Sequence, residues 1–418
     1  MQMYRPEFDP HQTTLEAIRG IYSELYGQGC PVLRSDAHGG FYALSSYSEL
    51  RRTAGDWQTF SSAGGITLPR QPVRLAPIEY DPPEHTYWRT LMKEVMTVKA
   101  VRAVEDAVRR DTNILIDAFA SRGDAELVGE LAAIVPGNTI CNLIGVTDPA
   151  RIELGCHLGL VTTESNFNPA QQEQAFGAFV GFCMEEIGAR RARPQGDYLS
   201  RLANDEIEGR RLTDQEVVGL VIGFFFAGHH TTTAGLASLF SAIATDPRVR
   251  DALIAEPGLI PKAAEEAIRL ETPLHGFYRQ TTKDVEVQGC PISQGSEVWL
   301  NYAAGNRDPA AFDRAGEFLI DREANPHLGF GHGIHFCLGA PLARMELRAV
   351  TEELLRRLPD LTGTDEPVEY RWGAGNIMSI ARVPVRFTPV DSTGRLQSAP
   401  DCSHQVRYLA ATRSCRCT

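Results

Sequence analysis

Phe330-Gly-His-Gly-Ile-His-Phe-Cys337-Leu-Gly339-Ala-Pro-Leu-Ala-Arg344 is the stretch on which the reading of this chain turns. Glycines stand before and after one cysteine, in a segment that reads as a loop running into a helix, so backbone N–H groups can approach the sulfur closely. The helix that follows points its positive end at that sulfur, which favours thiolate over thiol. Such a cysteine suits a soft or redox-active metal. No second cysteine stands at metal-finger spacing, so a closed zinc or iron–sulfur site is hard to build around Cys337, whereas a haem needs one axial protein ligand. Taken alone, a cysteine beside glycines reads more simply as a buried helix-start residue serving a tight turn.

The rest of the chain bounds the answer. Its 418 residues are 43% apolar and 22% charged with a formal net charge of −12, the composition of a soluble globular protein with a large core. At about 150 residues per domain the length suggests two or three domains. Net acidity argues against a nucleic-acid surface, which wants clustered Lys and Arg. The start of the chain has no positive segment followed by an apolar one, so neither a signal nor a membrane anchor is expected, and the protein is expected in the cytoplasm. The longest apolar run, 217–228, is about half of a bilayer span and reads as a buried helix. Nine scattered cysteines without a C-x-x-C pair make a disulfide framework improbable, and most of the first five, Cys30, Cys141, Cys156, Cys183 and Cys290, are expected to be small buried hydrophobes. Cys415-Arg-Cys417 is a weak soft-metal signal at a frayed end.

Periodicity predicts a mainly helical chain. Residues 41–45 read as a strand and 47–54 as the helix after it. The Gly/Pro-rich section 63–83 reads as a long loop, of the kind that tends to be functional. Helical patterns follow over 84–120, 130–144, 149–160 and 169–192. Thr213-Asp-Gln-Glu216 is a capping box that opens a long helix to about residue 244, and Pro261 starts another that ends before Thr272-Pro273. Residues 284–287 and 297–301 are expected to form a hairpin. Residues 306–333 are turn-rich, and a last helix is expected over 340–358.

The cysteine stretch fits F-x-x-G-x-H-x-C-x-G at Phe330, Gly333, His335, Cys337 and Gly339, and so resembles the haem-thiolate signature of the cytochrome P-450 family. Other pieces lie in the order that family requires. Glu266-Ala-Ile-Arg269 resembles its E-x-x-R helix motif, and Arg322 lies where the third member of that ion cluster belongs. Asp81-Pro-Pro-Glu-His85-Thr-Tyr-Trp-Arg89 resembles the start of the helix crossing the haem edge, with His85 and Arg89 on one helical face. Arg279 and His335 match the remaining propionate partners. Asn306-Arg-Asp-Pro309 and Leu342-Ala-Arg344-Met-Glu346 also look like bacterial members. The resemblance spans roughly residues 10–388. It implies a mainly α fold with small β-sheets, a single haem-enclosing domain over 1–390 and a disordered or loosely attached tail over 391–418. It implies haem b on Cys337, framed by Phe330, Gly331 and Gly339, in a protein that is a monomer and contacts neither nucleic acid nor membrane.

In the long helix, Ala227, Gly228, His229, His230 and Thr231 match the family's A-G-x-(Asp/Glu)-Thr segment, with His230 where relatives usually carry an acid. Activating dioxygen consumes two protons. Thr231 is therefore a candidate donor, and His230 is either a relay near neutral pH or a locally bonded residue. Alignment to the family places Ile66, Leu68, Phe224, Leu274, His275, Phe277, Ile377 and Met378 around the substrate, with His275 as a polar point in an apolar pocket. The resemblance implies oxygen insertion into a hydrophobic or aromatic small molecule, natural-product tailoring among the options. The altered acid position keeps radical coupling or ring closure open, and beside them a catalytically silent binding module. Electrons are expected from a separate soluble ferredoxin or flavodoxin with its reductase. Arg344, Arg348, Arg102, Arg109 and Arg110 are candidates for its docking patch, although solvated helix charges are the simpler reading.

Overall fold

A computed structural model of the chain describes residues 3–11, 13–27, 32–70, 74–164, 169–366, 368–373 and 377–390. The tail 391–418, with Cys402, Cys415 and Cys417, and also Cys30, lie outside the described residues. The architecture is organised by the helix Asp214–Thr245. Its start is the capping box: Glu216 N–H donates to Thr213 Oγ1 at 3.3 Å and Thr213 N–H donates to Glu216 Oε2 at 2.9 Å. Every residue from 217 to 225 is buried, the signature of a core helix rather than a surface one. Among the described residues it is the one helix long and apolar enough to cross a membrane, and 72% of its most apolar window is buried inside the fold. The helices Ile134–Ile144, Pro149–Glu164, Pro169–Ala192, Pro247–Ala255, Ile260–Leu270 and Ala340–Arg357 all pack on it. The two or three domains suggested by length thus give way to one large core.

Most helical expectations hold within a residue or two, with instructive exceptions. The stretch 84–120 is broken at Thr97, whose extended backbone (ψ 153°) separates Glu84–Lys93 and a short 3₁₀ turn from Val98–Phe119, and whose side chain accepts from Ala100 N–H. Tyr198–Asn204 and Pro247–Ala255 went unread although each is announced by an aspartate cap, Asp197 and Asp246.

The expected hairpin of 284–287 with 297–301 is not formed. Val285–Val287 turns back through Gln288-Gly289, both at positive φ (49° and 77°), and pairs with Cys290–Ile292. Two residues at positive φ make the tight turn that matches strand twist, and a glycine suits it. Glu297–Asn301 instead enters a six-stranded sheet, parallel to Phe41–Leu44 on one side and antiparallel to Gly276–Thr281 on the other. Val298, Trp299 and Leu300 are all fully buried, as an interior strand requires. A second hairpin, Glu369–Gly373 with Ile377–Arg382, was not anticipated, and Ile377 bridges to Leu274 beside the site.

The loop 63–83 has neither helix nor strand among its described residues. Buried Glu79 organises it, accepting from Ile66 N–H at 3.0 Å and Leu75 N–H at 2.7 Å. Cys141, Cys183 and Cys290 are buried free thiols, while Cys156 and Cys337 are half-buried and free.

Candidate active site

The cysteine loop is shaped by its glycines. Gly331 and Gly333 sit at φ 70° and 71°, and a Cβ on Gly333 would lie 2.4 Å from the Ala54 carbonyl oxygen. Cys337 N–H donates to Phe330 O at 2.8 Å, folding the loop so that the helix Ala340–Arg357 begins just beyond it with Gly339 as its cap. Burial pushes the Cys337 thiol up; the amides of Gly339 and Ala340 and the guanidinium groups of Arg89 and Arg344 pull it down by less. The amides at the helix start favour the thiolate, as the sequence leads one to expect, while burial of the anion outweighs them.

Cys337 opens into a cavity of about 300 Å³. Ala227, Gly228 and Thr231 line it from the long helix, with Gly235 one turn on. Thr231 Oγ1 donates to Ala227 O at 2.6 Å. Gly228 serves packing as well as space, since a Cβ there would lie 2.3 Å from Ile140 Cδ1.

Arg89, Arg279 and His335 line the cavity wall together. His85 lies behind, its ring 4.7 Å from that of His335 and edge-on. His335 Nε2 shares a hydrogen bond of 2.9 Å with Ser62 Oγ. Burial, then Arg279, His85 and Arg89, push the His335 pKa down to about 2. Buried Arg279 donates to the Tyr278 carbonyl at 2.8 Å, and His85 Nε2 is buried without a partner. The nearby acid Asp81 is engaged by Ser61 Oγ and by Ser62 N–H. Four cationic or hydrogen-bonding groups thus gather at one wall, and burial and then the arginines depress protonation of the two histidines. The cluster fits a bound group carrying two carboxylates, and the thiol fits its metal.

Not every predicted residue joins the cavity. Ile66, Phe224, Leu274, Phe277, Ile377, Phe330, Gly331 and Gly339 do. Leu68 instead packs with Phe8, Phe41 and Tyr278 in a separate apolar cluster. His275 is turned away and buried, its Nδ1 3.2 Å from Tyr22 Oη, and burial drives its pKa down to about 3; it supplies no polar point to the pocket. The Met378 side chain lies outside the described residues. Met92, Met96, Phe226 and Tyr302 line the cavity and were missed; the i, i+4 spacing of the two methionines was the available signal.

His230 is also outside the lining. It hydrogen-bonds the Gly159 backbone, and burial, followed by the neighbouring His229, pushes its pKa down to about 3. The placement matches a locally bonded residue rather than a relay near neutral pH. The proposed docking arginines are tied up as well. Arg109 pairs with Glu105, Glu352 and Glu353, Arg348 with Glu105 and Glu352, and Arg344 with Glu265. Three of these pairs, Arg109 with Glu352 and Glu353 and Arg348 with Glu105, join the helix Val98–Phe119 to Ala340–Arg357. Arg102 and Arg110 are exposed.

Glu346, on the same helix as the capping glycine, is a buried acid that the sequence reading used only as a motif letter. Burial pushes its carboxyl up to about 8, opposed by contact with Thr139. Thr139 Oγ1 donates to Val135 O at 2.9 Å, and Glu346 Oε1 is buried without a partner. With the carboxyl raised, the unfolded chain releases its proton near the ordinary 4.5 and the folded chain near 8, so stability falls with pH across that window. Glu346→Gln is expected to remove this slope and to exceed the parent by about 3 kcal/mol at pH 7. Urea denaturation at pH 5 and pH 8 checks it; the same slope in parent and variant would refute it.

The comparisons agree with this geometry. The cytochrome P-450 family model matches residues 171–376. A steroid C26-monooxygenase of Mycolicibacterium smegmatis is 34% identical over 367 residues, 86% of this chain and 90% of that one. The mycinamicin IV hydroxylase/epoxidase of Micromonospora griseorubida is 34% identical over 390 residues, 89% and 95% of the two chains. Among solved structures, a cytochrome P-450 of Chondromyces apiculatus superposes with a TM-score of 0.80 at 29% identity, over 90% of this chain and 98% of that one. Sequence, fold and the cavity beneath Cys337 converge, and the chain belongs to the cytochrome P-450 family of monooxygenase-type oxidoreductases, whose haem is held by a cysteine thiolate.

Proposed function

We propose that this chain binds haem b through Cys337 and inserts oxygen from dioxygen into a hydrophobic or aromatic small molecule, taking two electrons from a separate soluble ferredoxin or flavodoxin in the cytoplasm. The observation that carries the reading is the convergence of Cys337, Thr231 and the Arg89, Arg279, His335 wall on one apolar cavity. Haem, when bound, supplies the redox-active iron. The chain supplies the rest. The Gly339 and Ala340 amides and the Arg89 and Arg344 charges would favour negative charge on the sulfur, against the cost of its burial. Arg89, Arg279 and His335, with His85 behind them, would hold the two propionates.

Thr231 lines the cavity and its hydroxyl donates to Ala227 O at 2.6 Å, so this side chain would hold and pass a proton at that wall. The apolar walls exclude water, which would otherwise compete for that proton. Two relatives are named for acting on a steroid and on mycinamicin IV; a hydrophobic natural product is the class proposed here, residues 1–390 forming the catalytic unit. The intact cysteine, threonine and cationic set argues against a silent binding module.

Thr231→Ala is expected to lower product formed per electron consumed by about tenfold or more, hydrogen peroxide taking up the difference, because a positioned proton donor contributes about 10²–10⁴ to rate. His230→Ala is expected to match the parent within about twofold, since its ring bonds Gly159 rather than facing the cavity. Coupling assays with a compound identified by spin-state titration decide both; a His230→Ala loss as large as that of Thr231→Ala would restore the relay and favour radical coupling without insertion as the alternative outcome.

A further inference from the structure

We propose that Asp9, His11 and His38 form a site for a divalent transition-metal ion of the zinc class, which pins the amino-terminal segment to the loop walling the active cavity. The three ligand atoms lie within 4.8 Å of one another. His38 Nε2 is 3.1 Å from Asp9 Oδ1, and His11 N–H donates to the same oxygen at 2.9 Å, fixing the carboxylate. The two imidazoles meet edge-on with centroids 5.2 Å apart.

His11 carries the strongest sign. Its ring hydrogen-bonds the backbone of Leu68, while its Nε2 is buried and without a partner. A carbonyl only accepts, so the nitrogen facing Leu68 is Nδ1 carrying its hydrogen, and Nε2 keeps a bare lone pair. An imidazole that donates one nitrogen to a backbone carbonyl and offers the other is the outer-shell arrangement of metal-binding histidines. The Asp9–His38 hydrogen bond alone explains two of the three residues and leaves that lone pair buried and unused. His38 is further held at φ 54°, a conformation uncommon outside glycine.

Two imidazoles and one carboxylate select a borderline cation; magnesium and calcium prefer oxygen throughout. Tetrahedral zinc sets its ligands about 3.3 Å apart, so the widest separation closes by at most roughly 1.5 Å, within reach of the partly exposed His38 side chain. Three protein ligands leave a fourth position to water. Leu68 sits two residues from Ile66, which lines the active cavity, so metal occupancy stiffens a wall of the substrate pocket through the His11 to Leu68 bond.

The test is equilibrium dialysis of chelator-treated, haem-loaded full-length protein against zinc, with zinc per protein measured by elemental analysis in parent and in the His11→Gln, His38→Gln double variant. The parent is expected to hold one equivalent more, and zinc to raise the melting temperature of the parent alone. Tail cysteines are present in both and cancel. The reduced carbon-monoxide spectrum checks that the variant is folded, and Asp9→Asn, which keeps both imidazoles, is expected to weaken zinc binding at least tenfold. Equal uptake by parent and double variant, or an unchanged affinity in Asp9→Asn, overturns the proposal.

Discussion

Cys337→Ser is expected to abolish completely the red-shifted absorption band of the reduced, carbon-monoxide-bound protein, and turnover with it. The physical reason is local and separable from folding. Serine replaces one side-chain atom, whereas the loop is held by backbone: Cys337 N–H on Phe330 O at 2.8 Å, and two glycines at φ near 70°. A hydroxyl in place of a buried thiol costs about 1–2 kcal/mol of stability, little against the roughly 5–15 kcal/mol that holds a domain together. Ligation is different. Thiolate is a soft, electron-rich donor, and a serine hydroxyl stays protonated at neutral pH with no comparable donor power. Burial already opposes ionisation of the sulfur here, and the Gly339 and Ala340 amides only partly relieve it; an alkoxide at the same place is further out of reach. Optical spectra of purified parent and variant, with circular dichroism as the control for folding, check the result. A variant that keeps the band would mean that another residue ligates the metal, and the assignment of Cys337 would fall.

Cys337 was legible because the loop writes its constraints into sequence. Glycine is needed where φ is positive and where Ala54 O comes within 2.4 Å of a would-be Cβ, and those needs leave fixed spacings. The capping box at Thr213 is equally local. The failures share another cause. The hairpin was misassigned because strand partners are chosen by burial across the whole sheet, which put Glu297–Asn301 between Phe41–Leu44 and Gly276–Thr281. For His230 a relay and a locally bonded residue both stayed open because spacing on a helix gives direction only to about 100° per residue; the choice rests on Gly159, far away in sequence. The same holds for Leu68 and His275, each drawn by its neighbours into a cluster on the other side of the chain. Residues that a motif constrains through their own backbone were found, and residues whose direction depends on a distant surface were not.

Arg269→Ala is expected to cost about 4 kcal/mol or more, enough to prevent accumulation of haem-loaded protein. Arg269 is completely buried, and its guanidinium is fully satisfied. Nε and Nη2 donate to the two Glu266 oxygens at 2.7 and 2.8 Å, Nη1 to the carbonyls of Asn306 and Ala315 at 2.7 Å each, and Nη2 to that of Glu317 at 2.9 Å. Five N–H groups meet five acceptors, which no other side chain reproduces. Glu266 in turn accepts from Arg322 Nε at 3.0 Å and Leu319 N–H at 2.9 Å. Burial pushes the Glu266 carboxyl up, but the bonds to Arg269 and Arg322 outweigh it and hold it below the usual range. This contribution is therefore present at neutral pH and is lost as pH falls through the depressed value. Removing Arg269 leaves a buried carboxylate half paired and three carbonyls without their donor, and breaking one partner of a buried pair costs about 3–5 kcal/mol. The damage is directed. Asn306 and its neighbours carry the turn-rich section that delivers the cysteine loop: Asn306 Oδ1 accepts from Leu328 N–H at 2.6 Å, two residues before Phe330. Arg269→Lys, with three donors on a point charge, is expected to recover only part of the loss. Thermal unfolding and haem content of the three proteins measure it. If Arg269→Ala unfolds within about 1 kcal/mol of the parent and loads haem normally, the cluster does not hold the cysteine section in place.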